Sequence, residues 1–308
     1  MKIVIAGGTG FLGRPLAQAL ADDRHDLAIL TRGTLGPGAS PTPRVRLVPW
    51  TPNGQAGRWP AEIDGADAVI NLAGESIAAH RWSDRQKKLI LESRVRATRR
   101  LTDAIAAATT PPSVFISGSA VGYYGPLGTE IATEETPAGS DFLARVCVKW
   151  EAEAERATSP RTRVVCIRTG LVLEKDGGAL AKMLPPFKVG AGGRVGSGRQ
   201  YWPWIHRLDW INLVRWTIAT VTASGPINAT APNPVTNGEF AHSLGEAIHR
   251  PAFLPAPAFA LRLMFGEMAD ALLLSGQRAV PAKAQRLWFT FRYTHLEDAL
   301  RAIFRGSD

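Results

Sequence analysis

Cysteine is scarce in this chain: Cys147 and Cys166 are the only two among 308 residues. Two cysteines build no disulfide framework, and the usage suits a reducing cytosol, so a cytoplasmic location is expected. No stretch approaches the ~20 apolar residues of a membrane span, and no membrane partner is expected. Met1-Lys2-Ile3 enters a strand pattern at once, leaving no room for a signal peptide. No His/Cys cluster has metal-ligand spacing, and no GxSxG elbow points to a hydrolase. Nucleic acid is disfavoured too, despite a formal charge of +9. The densest basic run (Lys87, Lys88, Arg94, Arg96, Arg99, Arg100) is interleaved with Leu89, Ile90, Val95, Leu101 and Ile105. That pattern is an amphipathic helix with a solvated basic face. It lacks the aromatics of a single-strand binding groove.

What is present is an α/β alternation. Apolar residues make up 45% of the chain, ample for a core. Strands are predicted at Lys2 to Ala6, Leu27 to Leu30, Val45 to Val48, Ala68 to Leu72, Val114 to Ser117 and Val164 to Ile167. Helices fall between them, the longest from about Ser83 to Ala107, another capped by Ser140 or Asp141 and running to about Ala157. This order predicts a Rossmann-type doubly wound parallel sheet. Gly33 to Pro43, rich in Gly, Pro, Ser and Thr, reads as a surface loop. After Gly170 the texture changes to a glycine-rich stretch (190–198) and an aromatic segment, Tyr201-Trp202-Pro203-Trp204-Ile205-His206. An apolar helix is predicted at Phe259 to Leu274 and a last one at Leu296 to Phe304. The expected division is a nucleotide-binding domain over 1–245, with 170–205 contributing to the substrate side, and a smaller C-terminal substrate-side lobe over 246–308.

The first strand runs into Gly7-Gly8-Thr9-Gly10-Phe11-Leu12-Gly13. Three glycines three residues apart between strand and helix suit a pyrophosphate: one turns, one lets the backbone approach the phosphates, one lets helix and strand pack. The following helix aims its free N–H groups and positive dipole end at the anion. After the second strand comes Thr31-Arg32 with no acid beside it. An acid there holds the ribose 2′-hydroxyl of NAD, whereas an arginine accommodates the 2′-phosphate of NADP through paired hydrogen bonds. NADP is the cofactor this predicts.

Taken together, the sequence resembles the extended short-chain dehydrogenase/reductase superfamily. Gly7, Gly10 and Gly13 match its TGxxGxxG loop, with Ala6 replacing the threonine. Asn71-Leu72-Ala73-Gly74 matches the fourth-strand motif, and Ser117-Gly118-Ser119-Ala120 the serine of the fifth strand. Within that superfamily the chain is similar to an atypical branch of epimerase-family proteins. The shared features are Ser93-Arg94, Val121-Gly122-Tyr123-Tyr124, Lys149-Trp150-Glu151, Arg168-Thr169-Gly170 and Pro203-Trp204-Ile205-His206. The tail carries Gly266-Glu267 and Leu272-Leu273-Leu274 of that branch's C-terminal domain. The resemblance implies that Thr31, Leu72, Ala73 and Arg94 line the NADP site, and the whole expected set is Gly7, Thr9, Gly10, Phe11, Leu12, Gly13, Thr31, Arg32, Leu72, Ala73, Gly74, Arg94, Lys149 and Arg168.

It also implies hydride transfer between a nicotinamide and a small molecule, with a tyrosine exchanging the proton, a lysine four residues later activating it, and a serine holding the substrate oxygen. Ser119 takes the serine's place and Lys149 the lysine's; counting back four reaches Arg145, not tyrosine. An arginine stays protonated and does no acid/base work. Tyr123 or Tyr124 is the replacement candidate. The alternative is an NADP-binding sensor or scaffold without turnover. Arg194 and Arg199, on the glycine-rich stretch, are candidates to grip an anionic substrate, with solvated loop arginines as the alternative. His206 and Asp209 are expected to be structural, and Trp202 and Trp204 either wall a pocket or fill a core.

Overall fold

The apolar runs pair edge to edge along the chain. In the computed structural model, which describes residues 1–32, 44–52 and 57–305, the first half forms β1 (Lys2–Ala6), α1 (Gly13–Asp22), β2 (Asp26–Thr31), β3 (Val45–Pro49), α2 (Pro60–Ile63), β4 (Ala68–Asn71), α3 (Asp84–Ala107) and β5 (Val114–Ala120). A 3-10 turn at Val121–Tyr124 leads to β6 (Ile131–Ala132), α4 (Phe142–Glu155), β7 (Arg163–Thr169) and β8 (Leu171–Leu173). Then come α5 (Gly178–Lys188), β9 (Tyr201–Trp202), β10 (Trp204–His206), α6 (Arg207–Ala219), β11 (Gly225–Ala229), β12 (Val235–Thr236) and α7 (Asn237–Ala247). The chain closes with α8 (Ala258–Phe265), α9 (Glu267–Ala269), β13 (Arg278–Ala279), α10 (Ala282–Arg286) and α11 (Leu296–Arg305). The predicted loop from Gly33 to Pro43 lies outside the described residues.

Seven strands form one sheet in the order β11-β7-β5-β4-β1-β2-β3, parallel throughout. This is the doubly wound Rossmann arrangement with one strand added at an edge. Parallel strands buried on both faces read as continuous apolar runs, which is why six were visible in sequence. The seventh, β11, opens Gly225-Pro226, residues depleted in strands; an edge position tolerates that proline because its missing N–H leaves no ladder gap inside the sheet. One face of the sheet packs on Leu16 and Leu20 of α1 and on Trp210, Leu213 and Val214 of α6. The other packs on Ala97, Leu101 and Ile105 of α3 and on Ala154 of α4.

Helix starts follow the caps. Ser83 accepts from the Gln86 amide and Asp141 from the Ala144 amide, satisfying first-turn donors. The smaller lobe has its own core, built from Leu173, Leu180, Trp202, Trp204, Phe240, Leu244, Leu296 and Leu300. Its members are drawn from 173 to 303, and the expected boundary after residue 245 falls inside α7. The single helix expected at Phe259 to Leu274 is broken: Gly266 takes φ +61° at the end of α8, a left-handed C-terminal stop, and Asp270–Leu274 forms a π-type turn. Among the described residues no helix is long and apolar enough to cross a membrane.

Candidate cofactor and active site

The glycine loop is shaped by steric necessity. Gly7 has φ +80°, and a Cβ there would stand 2.7 Å from the Leu72 carbonyl carbon at the exit of β4. A Cβ on Gly13 would run into the Gly7 carbonyl oxygen, so α1 packs on the loop only through glycine. Gly10 differs. A Cβ there meets only the Gly7 oxygen, at 3.4 Å, so the loop is open on that side. Leu12 caps α1 with no side-chain hydrogen bond, and Thr9 and Gly10 are exposed beside it. Two glycines forced by backbone contact and a third facing open space are what a bound pyrophosphate needs. The loop fits a dinucleotide.

Other expected cofactor residues gather around this loop. Thr31 ends β2 and Arg32, exposed, follows it. Leu72 hydrogen-bonds through its amide to the Ala6 carbonyl, holding the β4 exit against β1. Buried Asn71 accepts from the Ala73 amide and donates to Thr98 Oγ1 at 2.8 Å, pinning that exit to α3. Arg94 packs its guanidinium against Gly74 and Trp150 and donates Nη1 to the Glu75 and Ile90 carbonyls. Its Nε and Nη2 make no hydrogen bond among the described residues. Phe11 contributes its backbone to the loop, while its ring lies under Gly177, Gly178 and the Arg207 guanidinium, joining the two lobes.

Three expectations need correction. Lys149 and Arg145 are both exposed, and Arg145 donates to the Ser140 carbonyl. The side of α4 that faces β5 carries Leu143, Cys147 and Glu151: Leu143 lies against Gly122, Cys147 reaches the Ala120 carbonyl, and Glu151 accepts from Ser119. Two residues correspond to about 200° of helix rotation, so Lys149 points away from that face. The pairs spaced by four on the inner face are Leu143 with Cys147 and Cys147 with Glu151, and neither contains a tyrosine or a lysine. Nor is Cys147 a substitute nucleophile: burial pushes its thiol up to about 11.

Arg168 is also removed from the cofactor set. It is 3% exposed and forks onto Glu151 through Nε at 2.9 Å and Nη2 at 2.8 Å, while Nη1 bonds Tyr124 Oη and the Glu134 carbonyl. Burial alone would lower its pKa; the Glu151 pairing outweighs this and raises it. Tyr124 is the third correction. It is 1% exposed, and its hydroxyl donates to Asn228 Oδ1 at 2.6 Å and accepts from Arg168. Burial pushes the phenol up to about 12. It is a strut between the 3-10 turn after β5 and β11.

Two of the expected catalytic residues stay at the sheet's C-terminal edge. Ser119, 4% exposed, donates Oγ to Glu151 Oε1 at 2.6 Å and lies against the Cys147 thiol. Tyr123 is partly buried, its ring 3.5 Å from Arg168 Cζ, and its hydroxyl has no hydrogen-bond partner among the described residues. The residue that sequence reasoning missed is Glu151. Its place on the inner face was legible in the spacing of Ala144, Cys147, Glu151 and Ala154, all buried.

Elsewhere, His206 caps α6, accepting from the Leu208 amide and stacking on Tyr293. Burial, helped by Arg207 and Arg292, lowers its pKa to about 4. Asp209 accepts from the Arg292 and Tyr293 amides. Trp202 and Trp204 are buried in the smaller lobe's core, and Arg194 and Arg199 are exposed. No metal-binding cluster occurs among the described residues.

Sheet order and glycine loop together define a dinucleotide-binding protein of the Rossmann class. The family model described as NAD dependent epimerase/dehydratase matches residues 3–229, and a domain of unknown function (DUF1731) matches 256–303. The chain belongs to the NAD dependent epimerase/dehydratase family. It is 42% identical over 307 residues to the chloroplastic epimerase family protein SDR39U1 homolog of Arabidopsis thaliana, covering 99% of this chain and 87% of that one. It is 38% identical over 304 residues to epimerase family protein YfhF of Bacillus subtilis, covering 98% of each. The crystal structure of human epimerase family protein SDR39U1 (isoform 2) with NADPH matches at TM-score 0.89 and 33% identity, covering 100% of both chains.

Proposed function

We propose that this chain binds NADP(H) and performs hydride-transfer chemistry on a small molecule, as a reductase or as an epimerase working through a transient ketone. The observation that carries the reading is the glycine loop, whose Gly7 and Gly13 admit no side chain while Gly10 faces open space. Arg32 at the end of β2 and the NADPH bound by the human relative support the choice of NADP. Gly7, Gly10 and Gly13 would hold the pyrophosphate, Arg32 the 2′-phosphate, and Leu72, Ala73, Gly74 and Arg94 the nicotinamide side. When bound, the nicotinamide supplies or accepts the hydride. In the direction that oxidises an alcohol, Ser119, its own proton committed to Glu151, accepts a hydrogen bond from the substrate hydroxyl. Tyr123 is the phenol available to exchange the proton.

Titration of the purified chain with NADPH and NADH, followed by nicotinamide fluorescence, tests the cofactor. Arg32→Ala is expected to weaken NADPH binding about 10–100-fold, the worth of a charge-assisted phosphate contact, and to leave NADH nearly unchanged. Failure of the parent chain to bind either nucleotide would defeat the proposal.

A second reading, an NADP-binding sensor or scaffold, is favoured by one observation: the inner face of α4 offers Leu143 and Cys147 where a tyrosine–lysine pair is needed. Tyr123→Phe separates the two. For an enzyme, a screen of carbonyl substrates and sugar nucleotides should find turnover, and Tyr123→Phe should lower kcat about 100-fold or more with unchanged NADPH affinity. Bound nucleotide that keeps its redox state across the whole screen supports the sensor instead.

A further inference from the structure

Among the described residues, α8 is the one α-helix with no buried side chain. It reads Ala258-Phe259-Ala260-Leu261-Arg262-Leu263-Met264-Phe265, apolar on every side except at Arg262. A helix that is apolar all round is ordinarily buried all round. Here none of its residues joins a hydrophobic cluster of the fold. Phe259 is 74% exposed, Leu263, one turn further on, is 77% exposed, and Met264 beside it 64%.

The apolar surface extends into the chain that feeds the helix. The Leu254 amide donates to the Gly192 carbonyl and the Ala256 amide to that of Arg194, while the Gly196 amide donates to Ala256, so 254–256 is zipped to 192–196. A side chain on Gly190 would touch Pro251. Exposed Val189, Phe253 and Leu254 therefore lie on the flank of the smaller lobe that ends in α8. Together the six side chains leave roughly 800 Å² of apolar surface uncovered, more than the largest patch of a typical monomer and close to what each partner gives a standard interface.

Charge narrows what covers this flank. Arg262 is committed to Asp270 at 2.9 Å, and Glu267, just past the helix, pairs with Lys87. A lipid surface or a nucleic acid calls for free cations beside the apolar residues, and α8 offers none. A neutral apolar face suits another protein face, and the residue order on α8 suits its own copy. Phe259 and Leu263 stand at equal distances on either side of Leu261. A two-fold antiparallel pair of helices thus seats each Phe259 ring on the other copy's Leu263, with the adaptable Met264 at its edge.

We propose that α8 is a self-association face, through which two copies of this chain form a two-fold dimer with their α8 helices antiparallel. Sedimentation equilibrium of the purified chain tests it. The mass should double from 33.2 kDa, with a Kd of about 10 µM or tighter. Phe259→Glu and Leu263→Lys should each weaken the dimer about 100-fold or more, because a two-fold contact loses every pairing twice. Mixed in equal amounts, the two variants should dimerise again. The new carboxylate of one meets the new ammonium of the other, and the second Phe–Leu contact is intact. Both positions are exposed in the single chain, so circular dichroism should match the parent and NADPH affinity should agree within about twofold, which sets a folding defect aside. A parent that stays monomeric at about 100 µM, a dimer that survives either substitution, or a mixture that stays monomeric overturns the proposal. A dimer lost in Val148→Glu, on the exposed side of α4, but kept in Leu263→Lys also overturns it. A parent that is monomeric in solution yet binds phosphatidylglycerol vesicles overturns it in favour of a lipid surface.

Discussion

Glu151→Ala is expected to lower the unfolding free energy by about 3–5 kcal/mol, because it strands a buried cation. Arg168 gives Nε and Nη2 to that carboxylate and sits almost wholly out of solvent. Removing the acceptor leaves two charged donors unpaired in a low-dielectric interior. The damage spreads through shared partners: Ser119 loses its 2.6 Å acceptor, and Arg168 also supports the Tyr124 hydroxyl that braces Asn228 on β11. Glu151→Gln keeps shape and one acceptor oxygen and should lie between parent and alanine. Urea unfolding at neutral pH reads all three. A loss below about 1 kcal/mol for Glu151→Ala, the range of an exposed pair, would mean that Arg168 finds other partners and the network is not a unit.

Gly13→Ala and Gly10→Ala should part company. In the first, a methyl group meets the Gly7 carbonyl oxygen and Gly8 Cα, both backbone, and the loop or α1 has to move. Overpacking of this kind typically removes about 1–3 kcal/mol of stability, and a displaced loop no longer cradles a pyrophosphate. NADPH binding should vanish at concentrations that saturate the parent. In Gly10→Ala the methyl enters open space, so stability should stay within about 0.5 kcal/mol. It occupies the surface where phosphates approach, so NADPH affinity should still fall about tenfold or more, as a clash with ligand implies. Denaturant unfolding beside nicotinamide fluorescence separates fold from ligand. Parental NADPH affinity in Gly10→Ala would move the pyrophosphate off that face.

The errors at α4 have a physical explanation. Counting back four from Lys149 tests spacing, and spacing says nothing about which side of a helix faces the sheet. The buried pattern of Ala144, Cys147, Trp150 and Ala154 carried that information and points Lys149 outward. Arg168 was misplaced for a related reason: a charge on a central strand needs a counter-charge, and its partner comes from a helix 17 residues earlier.

By itself the sequence determined the local and periodic features. Six apolar strand runs, the glycine turn, the long helix from about Ser83, a cap at Ser140 or Asp141 and the last helix each follow from a few neighbouring residues, because backbone sterics, helix periodicity and capping act within one or two turns. Tertiary structure alone decided the rest. It set β11 at the sheet edge, turned α4 so that Leu143, Cys147 and Glu151 face the site, and buried Tyr124 while leaving Tyr123 available. It also laid Arg278 over Tyr201, 77 positions away in the chain. These outcomes depend on pairing between distant segments, where a buried charge or hydroxyl settles on whichever partner the packed fold brings within reach.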